Sequence, residues 1–115
     1  MRFMVIVKAS KESEAGAMPD TAALAAMGKY NEQLANAGIM LAGEGLHPTS
    51  KGKRVRFSGT ERTVIDGPFA ETKEQLAGFY LIEARDLNDA IRVASRIPPG
   101  RLGCVEVRPV WEYKA

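Results

Sequence analysis

Two short runs in this chain are apolar on both of their alternating faces, and each is followed by a segment with helical periodicity. In Phe3 to Val7, the residues Phe3, Val5 and Val7 alternate with Met4 and Ile6; in Gly78 to Ala84, Phe79 and Leu81 alternate with Tyr80 and Ile82. A strand with no polar face needs cover on both sides, so both runs belong in the middle of a sheet.

The segments between them follow from local signals. Residues 9–18, ASKESEAGAM, read as a loop, and Pro19 with Asp20 or Thr21 offers a helix start. Ala23, Met27, Tyr30, Leu34 and Ala37 recur at steps of three and four, and Gly38 supplies the stop. Gly28 inside that helix costs about 1 kcal/mol relative to alanine, which predicts close approach to a sheet. A short strand, Ile39 to Ala42, leads into GEGLHPTSKG, whose glycines and Pro48 read as a loop. KRVRF and RTVI flank SGTE as a hairpin with one wet face. Asp86 is a helix N-cap with Asp89 three residues on, and Leu87, Ala90, Ile91, Ala94 and Ile97 form the apolar stripe that ends at Pro98 and Pro99. CVEVRPV alternates as an edge strand, with Cys104 expected in a core or interface and Pro109 where an edge tolerates it.

The order β-α-β, hairpin, β-α-β predicts an α+β fold. It is a ferredoxin-like split β-α-β sandwich with an inserted β-hairpin, in one domain over residues 1–115. Two helices cover one sheet face only, so the other face predicts a homodimer pressed sheet to sheet.

Composition narrows the partners. A formal net charge of +2 with both signs mixed along the chain argues against bulk nucleic acid or an anionic membrane as a direct partner. The basic hairpin residues Lys51, Lys53, Arg54, Arg56 and Arg62 include only Phe57 as a stacking platform, which suits a solvated edge. A single cysteine and no signal-like amino terminus predict a cytoplasmic protein, and no run approaches the roughly 20 apolar residues of a membrane span. One histidine and one cysteine do not make a zinc-type ligand set; no metal and no cofactor are expected.

The chemistry-bearing stretch is DGPFAETKEQ, and it has two readings. As a corner, Gly67 and Pro68 set the turn, Phe69 anchors it in the core, and Glu71, Lys73 and Glu74 are solvated charges. As a site, Asp66 at a strand end is a partly desolvated carboxylate suited to proton transfer. His47, the only histidine, lies in GEGLHP and forms an acid-base pair with Asp66 if the two loops meet; otherwise it is an exposed loop residue. Glu44 is a further carboxylate candidate in the same loop.

Over nearly its whole length the chain resembles the DGPF-domain family, a branch of the YCII-related proteins. The resemblance is carried by DGPFAETKEQLAGFYLIEARDLNDAIRVASRIP, Asp66 to Pro98, by VEVRPV, Val105 to Val110, and by AGEGLHPT, Ala42 to Thr49. It implies a ferredoxin-like domain pairing as a dimeric α/β barrel, and a histidine–aspartate pair as a possible active site, with Asp66 matching the motif's aspartate. The expected function is binding of a small molecule near the DGPF loop by Glu44, Gly67, Pro68, Phe69, Glu71 and Lys73, with acid-base chemistry by Asp66 and His47. The alternative, implied by relatives encoded beside or fused to extracytoplasmic-function sigma factors, is a non-catalytic regulator acting on a sigma factor in trans.

Overall fold

The computed structural model describes residues 1–18, 20–69, 74–98 and 104–112. Strands β1 (Arg2–Lys8), β2 (Met40–Gly45), β5 (Leu76–Glu83) and β6 (Val105–Pro109) form one antiparallel sheet in the order β2-β5-β1-β6. Strands β3 (Lys53–Ser58) and β4 (Glu61–Asp66) form a separate two-stranded hairpin. The helices are α1 (Lys11–Glu14), α2 (Thr21–Asn36) and α3 (Leu87–Ala94), with a 3-10 turn at Thr49–Lys51. This is the ferredoxin-like order, and the two runs apolar on both faces occupy its centre as β1 and β5.

One face of the central pair makes the core. Phe3, Val5 and Val7 of β1 and Tyr80 and Ile82 of β5 are buried with Tyr30 and Leu34 of α2 and Ala90, Ala94 and Ile97 of the α3 region. Phe3, Val5 and Ile82 are each 1% exposed, which stabilises the fold by about 1.5–3 kcal/mol apiece relative to leaving them in water. The opposite face is only half-covered: Met4 stands opposite Leu81 and Ile6 opposite Phe79, all partly exposed. Ala42 and Glu44 flank this patch on β2, and Glu106 and Arg108 on β6.

Helix ends follow their caps. The Asp20 carboxylate accepts from the Ala23 amide at 2.7 Å, and Asp86 accepts from Asp89 N–H at 2.8 Å. Asp89 accepts in turn from the Arg85 amide, one residue before the N-cap, at 3.0 Å. Gly38, at φ +72°, terminates α2 in the left-handed region.

Several local expectations are corrected. The segment read as a loop contains the one-turn helix α1, because Ser10 and Ser13 make a reciprocal capping box. β2 begins at Met40 and runs on through Gly43 and Gly45, because these glycines pair with Tyr80 and Gly78 of β5; a ladder partner overrides their weak intrinsic preference. β5 starts two residues earlier than expected, at Leu76. Gly28 faces open space, with nothing within 4 Å of a Cβ built there, so no sheet approaches it. Cys104 is exposed, although its carbonyl accepts from the Lys8 amide of β1 at 3.2 Å. On α3, Leu87 and Ile91 lie at 45% and 46% exposure, so the buried stripe is narrower than its spacing suggested.

The hairpin is exposed on both faces rather than one, save half-buried Ile65. Val55 pairs with Val64 and Phe57 with Arg62, so one face carries three exposed apolar side chains, and the Arg62 guanidinium stacks 4.5 Å from the Phe57 ring centroid. A projecting arm of this kind accounts for a radius of gyration of 15.9 Å, where a compact chain of this length has about 13 Å.

Candidate functional site

Where β2 meets β5 the sheet is short of side chains. Gly45 pairs with Gly78, and a Cβ at Gly78 would stand 2.7 Å from the Glu44 carbonyl oxygen. A Cβ at Gly43 would come within 3.0 Å of the Tyr80 ring and 3.2 Å of the Met40 sulfur. Against this bare stretch lies a cavity of about 560 Å³, bounded by the sheet, by α2 and by the segment after β1. That volume is within the usual range for small-molecule sites. Leu24, Met27 and Met40 supply apolar wall; Lys8, Ser13, Asn31, His47 and Tyr80 are polar or titratable lining residues, and Glu44 borders the cavity with its side chain alternating to the other face of β2.

The deepest polar group is the Tyr80 hydroxyl. It donates to Asn31 Oδ1 at 2.9 Å and rests 3.0 Å from Met27 Sδ. Burial pushes its phenol above the ordinary tyrosine value, opposed by the Asn31 hydrogen bond. The Tyr30 ring meets Tyr80 edge-on with centroids 6.2 Å apart, and its hydroxyl donates to the Val93 carbonyl at 2.6 Å. Burial, with the neighbouring Tyr80, pushes Tyr30 up to about 12. Asn31 therefore has its oxygen committed to Tyr80 while its amide group remains as a donor pair at the cavity wall.

His47, on the cavity lining, is exposed, as is Glu44 on the other face of β2. Leu46, just before His47, is tied to β5 by its amide, which donates to the Ala77 carbonyl at 2.8 Å. Thr49, just after Pro48, is tied to α1: Glu14 accepts from the Thr49 amide at 3.0 Å and from its hydroxyl at 2.6 Å.

The DGPF residues stand beside this arrangement and are not among the cavity's lining residues. Asp66 is exposed and paired with Lys53, its cross-strand partner, so its carboxylate is solvated rather than desolvated as the strand-end position suggested. Gly67 packs on the 3-10 turn; a Cβ there would fall 1.8 Å from the Thr49 carbonyl oxygen, and its amide donates to the Gly52 carbonyl at 3.0 Å. Pro68 is exposed. Phe69 is half-buried outside the core cluster, because the Arg54 guanidinium lies 3.8 Å over its ring and its amide donates to Thr49 Oγ1 at 3.2 Å. Glu71 and Lys73 lie outside the described residues.

The structure thus places His47 on the cavity, turns the Glu44 side chain to the open sheet face and leaves Asp66 outside the lining. Asn31, Met27 and Tyr80 are site residues that sequence reasoning missed. The available signal was Asn31, a polar side chain one helical turn after Met27 along the buried stripe of α2. Among the described residues no three histidine, cysteine or acidic side chains converge as metal ligands, and no helix is long and apolar enough to cross a membrane.

The model of the YCII-related domain family matches residues 1–114. The chain belongs to that family. An uncharacterized protein from Rhizobium meliloti (strain 1021) is 41% identical over 107 residues, spanning 91% of this chain and 82% of that protein. Among solved structures, this YCII-related chain is similar to the 5-chloro-2-hydroxyhydroquinone dehydrochlorinase of Burkholderia phenoliruptrix AC1100, determined in complex with 2,5-dihydroxybenzoquinone. The TM-score is 0.54 over 99% of this chain and 96% of that one. At 19% identity the likeness establishes the shared fold alone.

Proposed function

We propose that this YCII-related protein binds a small, flat, hydroxylated organic molecule in the 560 Å³ cavity and exchanges a proton with it through His47. The observation that carries the reading is the lining itself. Methionine and leucine walls suit a ring, the Asn31 amide offers hydrogen bonds to a ring oxygen, and exposed His47 on the lining can accept a hydroxyl proton. The solved relative's complex with a dihydroxyquinone supports the same ligand class. In the exchange, neutral His47 takes the hydroxyl proton onto its free ring nitrogen and leaves the ligand as its anion; the reverse step returns it. Asp66, solvated beside Lys53 and outside the lining, takes no part in this exchange.

Calorimetric titration with 2,5-dihydroxybenzoquinone tests this. Binding that weakens at least about tenfold in Asn31→Ala and His47→Gln, with Asp66→Asn unchanged, is the expected pattern; a tenfold loss corresponds to about 1.4 kcal/mol. Equal binding by wild type and both cavity variants overturns the site.

We also propose that the protein is a homodimer through the open sheet face. Met4, Ile6, Phe79 and Leu81 form a half-exposed apolar patch across the two central strands, and the projecting hairpin adds Val55, Phe57 and Val64. Sedimentation velocity should give a dimer for wild type and a monomer for Ile6→Glu. A wild-type monomer at tens of micromolar refutes the assembly.

A further inference from the structure

We propose that Glu14 and Thr49 are positioning residues for His47, with the DGPF turn as the second jaw of the clamp that holds Thr49. This rests on the reading that His47 acts in the cavity. His47 and Pro48 form a two-residue bridge between fixed ends. On one side Leu46 is bonded to β5 through Ala77; on the other, both Glu14 carboxylate oxygens accept from the single residue Thr49. Pro48 itself has φ locked at −55°, which removes one of the bridge's few soft torsions.

The hydrogen-bond direction runs one way. The Thr49 hydroxyl spends its proton on Glu14 at 2.6 Å, so toward Phe69 it can only accept, and it does so from the Phe69 amide at 3.2 Å. Gly67 completes the grip, since only a residue without Cβ can lie so close to the Thr49 carbonyl. The motif therefore acts through its glycine and the Phe69 amide, while Asp66 faces Lys53 across the hairpin. Glu14 belongs to α1, whose Ser13 also lines the cavity, so the same contact ties a cavity wall to the histidine turn.

The chain's single histidine gives one imidazole Cε1–H resonance, which reports His47 without any ligand. Thr49→Val keeps the side-chain shape and the backbone donor but deletes the hydroxyl; Thr49→Ser keeps it. The expected result in the full chain is a displaced, broadened His47 resonance in Thr49→Val. Thr49→Ser should keep the wild-type signal, and Glu14→Ala, which removes the acceptor of both the amide and the hydroxyl, should also displace the resonance. The double variant should move the resonance by less than the sum of the two single changes, because both cut the bond between the Thr49 hydroxyl and Glu14. A wild-type His47 resonance in Thr49→Val and Glu14→Ala, with circular dichroism confirming the fold, overturns the proposal. A displaced His47 together with failure of the quinone titration supports the clamp and refutes the proposed ligand, so the two readings fail separately.

Discussion

Replacing Gly67 by alanine places a methyl group 1.8 Å from the Thr49 carbonyl oxygen, 2.7 Å from the Thr49 carbonyl carbon and 3.2 Å from the Gly52 carbonyl oxygen. All three are backbone atoms, so no side-chain rotation relieves the overlap. Regaining even a 3.0 Å separation requires the turn and the DGPF corner to part by about 1.2 Å. That displacement breaks the Gly67–Gly52 and Phe69–Thr49 hydrogen bonds, each a net contribution of about 1 kcal/mol, and strains the charge-assisted Glu14–Thr49 pair, which contributes roughly 1.5–3 kcal/mol. The expected loss is about 3–5 kcal/mol, a large part of the roughly 5–15 kcal/mol that holds a domain of this size together. With a urea slope of about 1.5 kcal/mol per molar, the unfolding midpoint should fall by roughly 2–3 M at fixed protomer concentration. Gly28→Ala is the matched control: nothing lies within 4 Å of its Cβ, and in mid-helix it should stabilise by about 0.5–1 kcal/mol. If Gly67→Ala unfolds at the wild-type midpoint while Gly28→Ala behaves as expected, the close packing of the DGPF turn on Thr49 is refuted.

Alkaline titration tests the tyrosine pair. Tyr30 is held up to about 12 against an ordinary value of 10.0, so the native state keeps a proton the unfolded chain has released. Stability is then full below pH 10 and declines as pH rises toward 12, and Tyr30→Phe should flatten that decline in urea titrations at stepped pH. Tyr80→Phe strips Asn31 Oδ1 of its partner inside the cavity wall and should cost about 1–3 kcal/mol by thermal unfolding. Asp66→Asn breaks only an exposed pair with Lys53, and its change in unfolding free energy should stay within about 1 kcal/mol; a larger loss contradicts a solvent-screened role.

The central strands were legible because alternation is a local property. Phe3 to Val7 and Phe79 to Ile82 carry apolar side chains at every step, and no distant residue is needed to infer two covered faces. The helix starts were legible for the same reason, since Asp20 and Asp86 bond to amides three residues away. Gly28 misled because helix propensity records a cost without saying what, if anything, approaches the position. The DGPF string was conspicuous as a turn, yet its aspartate drew the chemical reading while its glycine makes the long-range contact.

What the amino-acid order determined by itself was therefore the two longer helices, the hairpin and the middle of the sheet, because those rest on periods of two and of about 3.6 residues. Tertiary structure alone decided the cavity and the clamp. Gly43 and Gly45 become a bare floor only when β2 pairs with β5, and Glu14 reaches Thr49 across 35 residues of chain. Whether a carboxylate is solvated, as at Asp66, or spent on an amide and a hydroxyl, as at Glu14, depends on which strand or turn the fold brings beside it.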